Sequence, residues 1–129
     1  MKQSLQQSII IILILFSGLS AANISVQDTI SVDTAWNGVD TVKVTGHLWI
    51  ADGVTLTIDA GTRIEFQGHY QFRVDGTVLA NGTESDSIIF TVSDHTGFTD
   101  YYSTEGGWAG IRFYETSSSN DSSIFSTAG

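Results

Sequence analysis

The chain has 129 residues, long enough for one domain, and a formal net charge of −9 from 5 Lys and Arg against 14 Asp and Glu. This acidic balance argues against nucleic acid and against an anionic membrane surface as partners, because both attract clustered basic side chains. The absence of Cys excludes disulfides and Cys-ligated metals, and an apolar content of 41% argues against a disordered chain.

Residues 1–22 have the three parts of a secretory signal peptide. Lys2 gives a basic start, residues 9–16 form an uninterrupted apolar run, and residues 17–22 are mostly small. The apolar run is too short for a membrane-spanning helix, which needs about 20 residues. We therefore predict that residues 1–22 are removed and that the exported chain has no membrane span. A short buried helix or an uncleaved anchor is the alternative.

The rest of the chain shows the alternating pattern of short β-strands and no helical periodicity. One apolar-x-apolar triplet recurs at offsets of 22, 24 and 23 residues, as Val42-Lys43-Val44, Ile64-Glu65-Phe66, Ile88-Ile89-Phe90 and Ile111-Arg112-Phe113. A second series shares this period, because Leu48-x-Ile50 with Asp52-Gly53 recurs as Phe72-x-Val74 with Asp75-Gly76. Two series with one period indicate a structural unit of about 23 residues, repeated about four times.

A unit with three short strands and no helix is typical of one coil of a parallel β-helix, in which like residues of successive coils stack. The expected apolar column consists of Val44, Phe66, Phe90 and Phe113. On the outside, Lys43 and Glu65 are expected to be neighbours of opposite charge, with Ile89 and Arg112 continuing their row. The alternative fold is an antiparallel sandwich or barrel with Asp-Gly hairpins, but such a fold needs no long period.

The two ends of the periodic part need separate interpretations. Residues 23–40 are predicted to form an N-terminal cap, with Trp36 closing the end of the apolar column. The coils are predicted over residues 41–129. Because Ile124 and Phe125 look like the start of another strand, we expect the chain to be the N-terminal fragment of a longer protein.

The stretch from Val44 to Phe66 resembles the opening coils of secreted bacterial right-handed parallel β-helix proteins of the pectin-lyase-like type. Residues 74–83 look like the next coil, and residues 107–113 are similar to the Trp-Gly-Gly-Ile segment that often follows. The resemblance implies an all-β, right-handed parallel β-helix, secreted or on the cell surface of a bacterium. It does not imply one activity, because this fold carries lyases, glycosidases and adhesins.

The longest interruption between strands, residues 91–107, and the Trp that follows it contain the candidate ligand-binding residues. Aromatic planes can stack on sugar rings, and carboxylates can ligate Ca²⁺. The candidates for ligand contact are His95, Tyr101, Tyr102 and Trp108, and the weaker candidates for Ca²⁺ are Asp94, Asp100 and Glu105. The acids have irregular spacing, and no other cofactor is predicted. The alternative is that Phe98 and Trp108 simply cover the side of the coils.

Asp52 and Asp75 are predicted in equivalent turns of successive coils. Two carboxylates separated by about 5 Å would suit a retaining glycosidase, whereas Asp followed by Gly is ordinary turn chemistry. We favour the turn role and assign no catalytic residue.

We therefore favour the hypothesis that the chain is the non-catalytic N-terminal part of a secreted or cell-surface protein, serving adhesion, carbohydrate contact or spacing. Its expected partner is a polysaccharide or a cell surface. The alternative is the opening of a polysaccharide lyase or glycoside hydrolase whose catalytic residues lie in later coils. A small independent β domain is a third hypothesis.

Overall fold

The computed structural model describes residues 21–38, 40–96, 106–114 and 123–128, and these ranges contain short β-strands joined by turns. The strands are β1 (Asn23–Ile30), β2 (Thr34–Trp36), β3 (Thr41–Ile50), β4 (Thr55–Ile58), β5 (Arg63–Phe66), β6 (Phe72–Val74), β7 (Thr77–Thr83), β8 (Ile89–Val92), β9 (Ile111–Phe113) and β10 (Ile124–Ala128). Each strand pair in these ranges is parallel. The predicted parallel β-solenoid is confirmed, with about 3 turns, and the antiparallel alternative is wrong.

The strands stack into three faces around one interior. The first face contains the beginnings of β1 and β3, followed by β5 and β8. The second face contains the ends of β1 and β3, followed by β6 and β9. The third face contains β2, β4, β7 and β10. β3 belongs to two faces because its ten residues continue around the corner between them.

Alternation along the strands builds the core, because successive side chains of a strand point to opposite sides. The inward positions of β3 to β7 are fully or almost fully buried, and their largest side chains are Phe66, Phe72, Leu48, Ile50, Leu56, Ile58 and Ile64. Burying one such side chain stabilises the fold by about 1.5–3 kcal/mol. The interior is therefore a continuous apolar column, as the alternation predicts.

The predicted column of Val44, Phe66, Phe90 and Phe113 is correct only for its first two members. Val44 stacks on Phe66, as predicted. Phe66 then stacks on Val92, and Phe90 stacks on Ile64. Phe90 is thus displaced by two positions, because the chain between β5 and β8 is longer than that between β3 and β5.

The predicted fourth member of the column lies on a different face. Phe113 stacks on Val74 in the second face, and the neighbouring Arg112 stacks on Arg73. β8 and β9 therefore belong to one coil rather than to two successive coils. Their spacing of about one repeat arises because residues 93–110, which separate β8 from β9, are almost as numerous as the residues of an ordinary coil.

The outer row of the first face is confirmed in its first step. Lys43 and Glu65 are neighbours in the register, and the pKa of Glu65 is lowered, chiefly by the hydrogen bond from the Gln67 amide. The row continues with Thr91 rather than with Ile89. The predicted continuation is wrong for the same reason as the predicted position of Phe90.

The segment predicted as a cap, residues 23–40, is built like the coils that follow it. β1 pairs with β3 on two faces, and Trp36 of β2 pairs with Ile58 of β4. The Trp36 side chain is buried in the core. Of the predicted signal peptide, residues 1–20 lie outside the described residues. In the described part of the chain, no helix is long and apolar enough to cross a membrane.

The corner between the first and second faces lengthens along the chain, and we call it the variable corner. It consists of Gln27 in the first coil and of residues 45–47 in the second. In the third coil it consists of residues 67–71, and residues 93–110 separate β8 from β9. The faces keep their register while this corner changes its length.

Candidate functional site

Three planar side chains stack across the outer surface of the second face. Trp49 of β3 is the register neighbour of Arg73 of β6, and Tyr114 directly follows β9. The guanidinium carbon of Arg73 lies 4.3 Å from the Trp49 ring centre and 4.4 Å from the Tyr114 ring centre. Trp49 remains 41% exposed and Tyr114 38% exposed. This Trp49–Arg73–Tyr114 stack presents two aromatic rings to the solvent on a rigid sheet.

Asp75 holds the stack in place. Its Oδ1 accepts a hydrogen bond from Arg73 Nε at 2.8 Å, and its Oδ2 accepts one from Arg73 Nη2 at 2.9 Å. Trp49 Nε1 donates a further bond to Oδ2 at 2.8 Å. The hydrogen bonds to Asp75 raise the pKa of Arg73 above its usual value. Because the pair is bidentate, it fixes the plane of the guanidinium as well as its position.

The two Asp-Gly turns are not equivalent, contrary to the prediction. Val74 pairs with Ile50, so Asp75 occupies the place that Ala51 has in the preceding coil. Asp52 and Gly53 are two additional residues in the earlier turn, which the later turn lacks. Gly53 adopts a left-handed backbone there, with a φ of 78°. The register therefore gives no stacked pair of carboxylates, and Asp75 has a structural role that turn chemistry alone did not predict.

Replacing Asp75 with Ala is expected to destabilise the fold and to release the Trp49 indole. Asp75 is only 5% exposed, and leaving buried polar groups without their partner costs about 1–3 kcal/mol. Urea unfolding followed by circular dichroism measures the loss, and the Trp49 Nε1–H signal in an NMR spectrum reports the broken bond. Glu84→Ala, at an exposed position, is the matched control. Equal stability of the two variants would contradict this role of Asp75.

Beside the stack lies a recess of about 280 Å³ on the outer surface. We call it the variable-corner recess, and its lining residues are Asp28, Thr29, His47, Leu48, Trp49, Gln71 and Arg73. They come from three successive coils, at the variable corner and the beginning of the second face. The recess therefore shares Trp49 and Arg73 with the stack.

The pairing between β1 and β3 shifts at the edge of this recess, because β1 has fewer residues than β3 at the variable corner. Val26 pairs with Val44 and Asp28 pairs with Leu48, so Gln27 alone spans the corner for which β3 uses residues 45–47. Asp28 has a φ of 65°, a left-handed conformation that Asp adopts more readily than most residues. The shortened corner of β1 therefore imposes local backbone strain at the edge of the recess.

Two polar side chains inside the recess have informative hydrogen bonding. His47 Nδ1 accepts a hydrogen bond from the Gln71 backbone N–H at 3.1 Å, so the neutral ring carries its proton on Nε2. The Gln71 side-chain Nε2 is buried and has no hydrogen-bond partner among the described residues. Buried donors are nearly always satisfied in proteins. Gln71, which lines the recess, thus has an unused donor.

Two of the residues predicted from the long interruption have clear structural roles. Asp94 Oδ1 accepts hydrogen bonds from Thr96 N at 2.9 Å and from Thr96 Oγ1 at 2.8 Å, and these bonds lower the pKa of Asp94. The Trp108 ring centre lies 4.3 Å from that of Phe66 and 6.2 Å from that of Phe90. Asp94 thus closes a turn, and Trp108 packs against the apolar core.

The remaining candidates are only partly within the described residues. His95 is exposed at the beginning of the long segment. The others lie outside the described residues: Asp100, Tyr101, Tyr102 and Glu105. Within the ranges that the structure describes, no group of three or more His, Asp and Glu side chains could hold a metal ion. Ca²⁺ binding by the long segment stays a prediction.

The residues of the stack were not identified as site residues from the sequence. A signal for two of them was present, because Trp49 and Arg73 occupy the outward middle positions of the matched triplets Leu48-x-Ile50 and Phe72-x-Val74. A large aromatic residue at an outward position, followed by Arg one coil later, predicts such a stack. Tyr114 gives no comparable signal, because the long segment before β9 hides its register.

Comparison with known proteins supports the fold. The model of the pectate-lyase-like β-helix domain matches residues 28–128, a range that includes the end of β1 and all of β2 to β10. Searches of curated proteins and of solved structures each returned no significant match. The parallel register, the three stacked faces and the extent of this match lead to one assignment. The chain belongs to the pectate-lyase-like β-helix domain family.

Proposed function

We propose that this chain is a non-catalytic part of an exported β-helix protein and that it contacts polysaccharide through the Trp49–Arg73–Tyr114 stack. The observation that carries the proposal is the exposure of two aromatic rings held on either side of one guanidinium. Aromatic planes pack against the C–H faces of sugar rings. Guanidinium N–H groups next to those planes can donate to sugar hydroxyls.

The rigidity of the stack supports a binding role. Trp49 and Arg73 are on strands of a packed sheet, and Asp75 bonds to both of them. Binding groups that are already ordered lose little entropy when a ligand arrives. Exposed aromatic side chains also add little to the stability of a fold, so their arrangement on one surface favours a role in contact with a partner.

Export is part of the proposal. Domains of this family are often extracellular, and the predicted signal peptide at residues 1–22 would deliver the chain there. A parallel solenoid provides an elongated surface on which a polymer can lie. We therefore infer a secreted or cell-surface location.

The competing proposal is that the chain opens a polysaccharide lyase or glycoside hydrolase. The family match favours it, since the family takes its name from pectate lyase. The geometry of the described residues supports the contact role better, because the carboxylate nearest the stack, that of Asp75, already bonds to Arg73 and Trp49.

Trp49→Ala is expected to weaken polysaccharide binding about tenfold, which corresponds to about 1.4 kcal/mol. The full chain is expressed with its own leader, and its retardation is measured by electrophoresis in gels that contain neutral or acidic polysaccharides. Ile89→Ala is the control, because Ile89 is similarly exposed on the first face and its loss should not change binding. Reducing ends and unsaturated products are assayed in parallel, and turnover of any polymer would favour the enzyme instead.

A further inference from the structure

We propose that the variable-corner recess is a subsite for one uncharged pyranose ring. This inference rests on the proposed function and extends it, since it names the kind of sugar and the place where one ring of it binds. The recess adjoins the stack through Trp49 and Arg73, so a polymer lying on the stack can place one ring in it.

The size of the recess fits a single ring. Its volume is about 280 Å³, at the lower limit of about 300 Å³ for small-molecule pockets. A longer oligosaccharide would have to leave the recess and continue over the stack. The recess therefore anchors one unit of a polymer, and the stack supports the units that follow.

The hydrogen-bonding groups of the recess match sugar hydroxyls. Gln71 and His47 both line the recess; Gln71 carries a side-chain Nε2 donor with no partner among the described residues, and His47 carries its proton on Nε2. Thr29 has a hydroxyl, and the Asp28 carboxylate accepts hydrogen bonds. A hydroxyl can both donate and accept, so a ring bearing several hydroxyls can satisfy donors and acceptors of this kind together.

The charges around the recess disfavour an acidic sugar. Arg73 is the only cation among the residues that line it, and Asp75 already neutralises this cation through a bidentate pair. Asp28 adds a negative charge at the rim, and the whole chain has a net charge of −9. A uronate carboxylate would therefore meet repulsion without an unpaired cation to offset it. An uncharged ring meets no such repulsion.

The experiment is an NMR titration of the full chain with two sets of probes. The neutral probes are xylo-, manno- and gluco-oligosaccharides, and the acidic probe is oligogalacturonate. We expect at least one neutral probe to shift the Gln71 side-chain amide and the Trp49 indole signals together. Oligogalacturonate is expected to bind at least tenfold more weakly.

Two substitutions separate the recess from the rest of the surface. Gln71→Leu removes the unpartnered donor and is expected to weaken neutral-sugar binding about tenfold. Gln67→Leu makes the same chemical change outside the recess, where the amide bonds to Glu65, and is expected to leave binding within twofold. Circular dichroism of both variants verifies that they are folded.

A third substitution tests the effect of the negative charge at the rim of the recess. Asp28→Asn keeps a side chain that tolerates the left-handed backbone but removes the negative charge at the rim. We expect it to increase the affinity for oligogalacturonate relative to the affinity for the neutral probes. Because the change does not alter the size of the recess, a gain for the acidic probe alone identifies charge as the cause.

The outcomes distinguish this inference from the proposed function. Binding that depends on Trp49 but is the same in Gln71→Leu would overturn the recess and leave the proposed function standing. Preference for oligogalacturonate would also overturn the inference while leaving polysaccharide contact intact. No binding of any probe or polymer would overturn both.

Discussion

Replacing Phe72 with Ala is expected to lower the free energy of unfolding by about 3–5 kcal/mol, the usual cost of removing a buried phenyl ring. Phe72 is 0% exposed and stacks between Leu48 and Ile111 on the second face. The surrounding strands are fixed by parallel hydrogen bonds on both sides, so they cannot close the cavity. Because domains of this size are stable by only about 5–15 kcal/mol, the loss is a large fraction of the total.

Phe113→Ala is the matched control for Phe72→Ala. It deletes the same ring from the same face, but Phe113 is 45% exposed, so we expect a cost of about 1 kcal/mol. Urea unfolding of the two variants, followed by far-ultraviolet circular dichroism, measures both losses. Similar midpoints for Phe72→Ala and the unmodified chain would show that the apolar column does not hold the coils together.

Gly76→Ala is expected to destabilise the fold by about 3 kcal/mol or more, at the upper end of the usual cost of overpacking. A Cβ atom at Gly76 would overlap the backbone carbonyl oxygens of Ala51 and Val54 in the preceding coil. The Val54 carbonyl also accepts a hydrogen bond from Thr77 N at 2.9 Å. Moving this oxygen away would therefore break the pairing between two coils.

Gly53→Ala tests whether the two Asp-Gly turns differ as described. A Cβ atom at Gly53 would meet no other atom within 4 Å, so the only cost is the left-handed backbone, with a φ of 78°. That cost is about 1–2 kcal/mol. Thermal unfolding measures the stability lost in Gly53→Ala and in Gly76→Ala, and we expect the larger loss in Gly76→Ala. Equal losses would mean that the turns are equivalent, as the sequence repeat suggested.

The fold was predictable because the strands obey a strict pattern. An inward side chain at every second position and an offset of 22 residues between Val42 and Ile64 predict their stacking, and the structure confirms it. The second predicted offset, from Ile64 to Ile88, is wrong. Phe90 stacks on Ile64, but the triplet pattern assigned it to Phe66. Alternation is unchanged by a shift of two residues, so it cannot detect a longer corner.

The candidate site was less predictable than the fold. Its members are outward side chains, which burial does not constrain, and they come together only when the register is known. Trp49 and Arg73 were in matched triplets, so their contact followed from the repeat. The hydrogen bond between Asp75 and Trp49 did not, because the pattern placed Asp75 level with Asp52. The position of Asp75 depends on the number of residues in the turn. The apolar periodicity of the strands does not reveal that number.

The variable corner is the part of the fold whose length changes from coil to coil, so it is where the surface of a related protein can differ. Within each face the stacked strands keep their register from coil to coil, whereas the corner extends from Gln27 in one coil to residues 93–110 in another. Insertions there lengthen the corner while the stacked strands of each face keep their pairing. Selection can therefore reshape what the molecule recognises by adding or deleting a few residues at one edge, at little risk to folding.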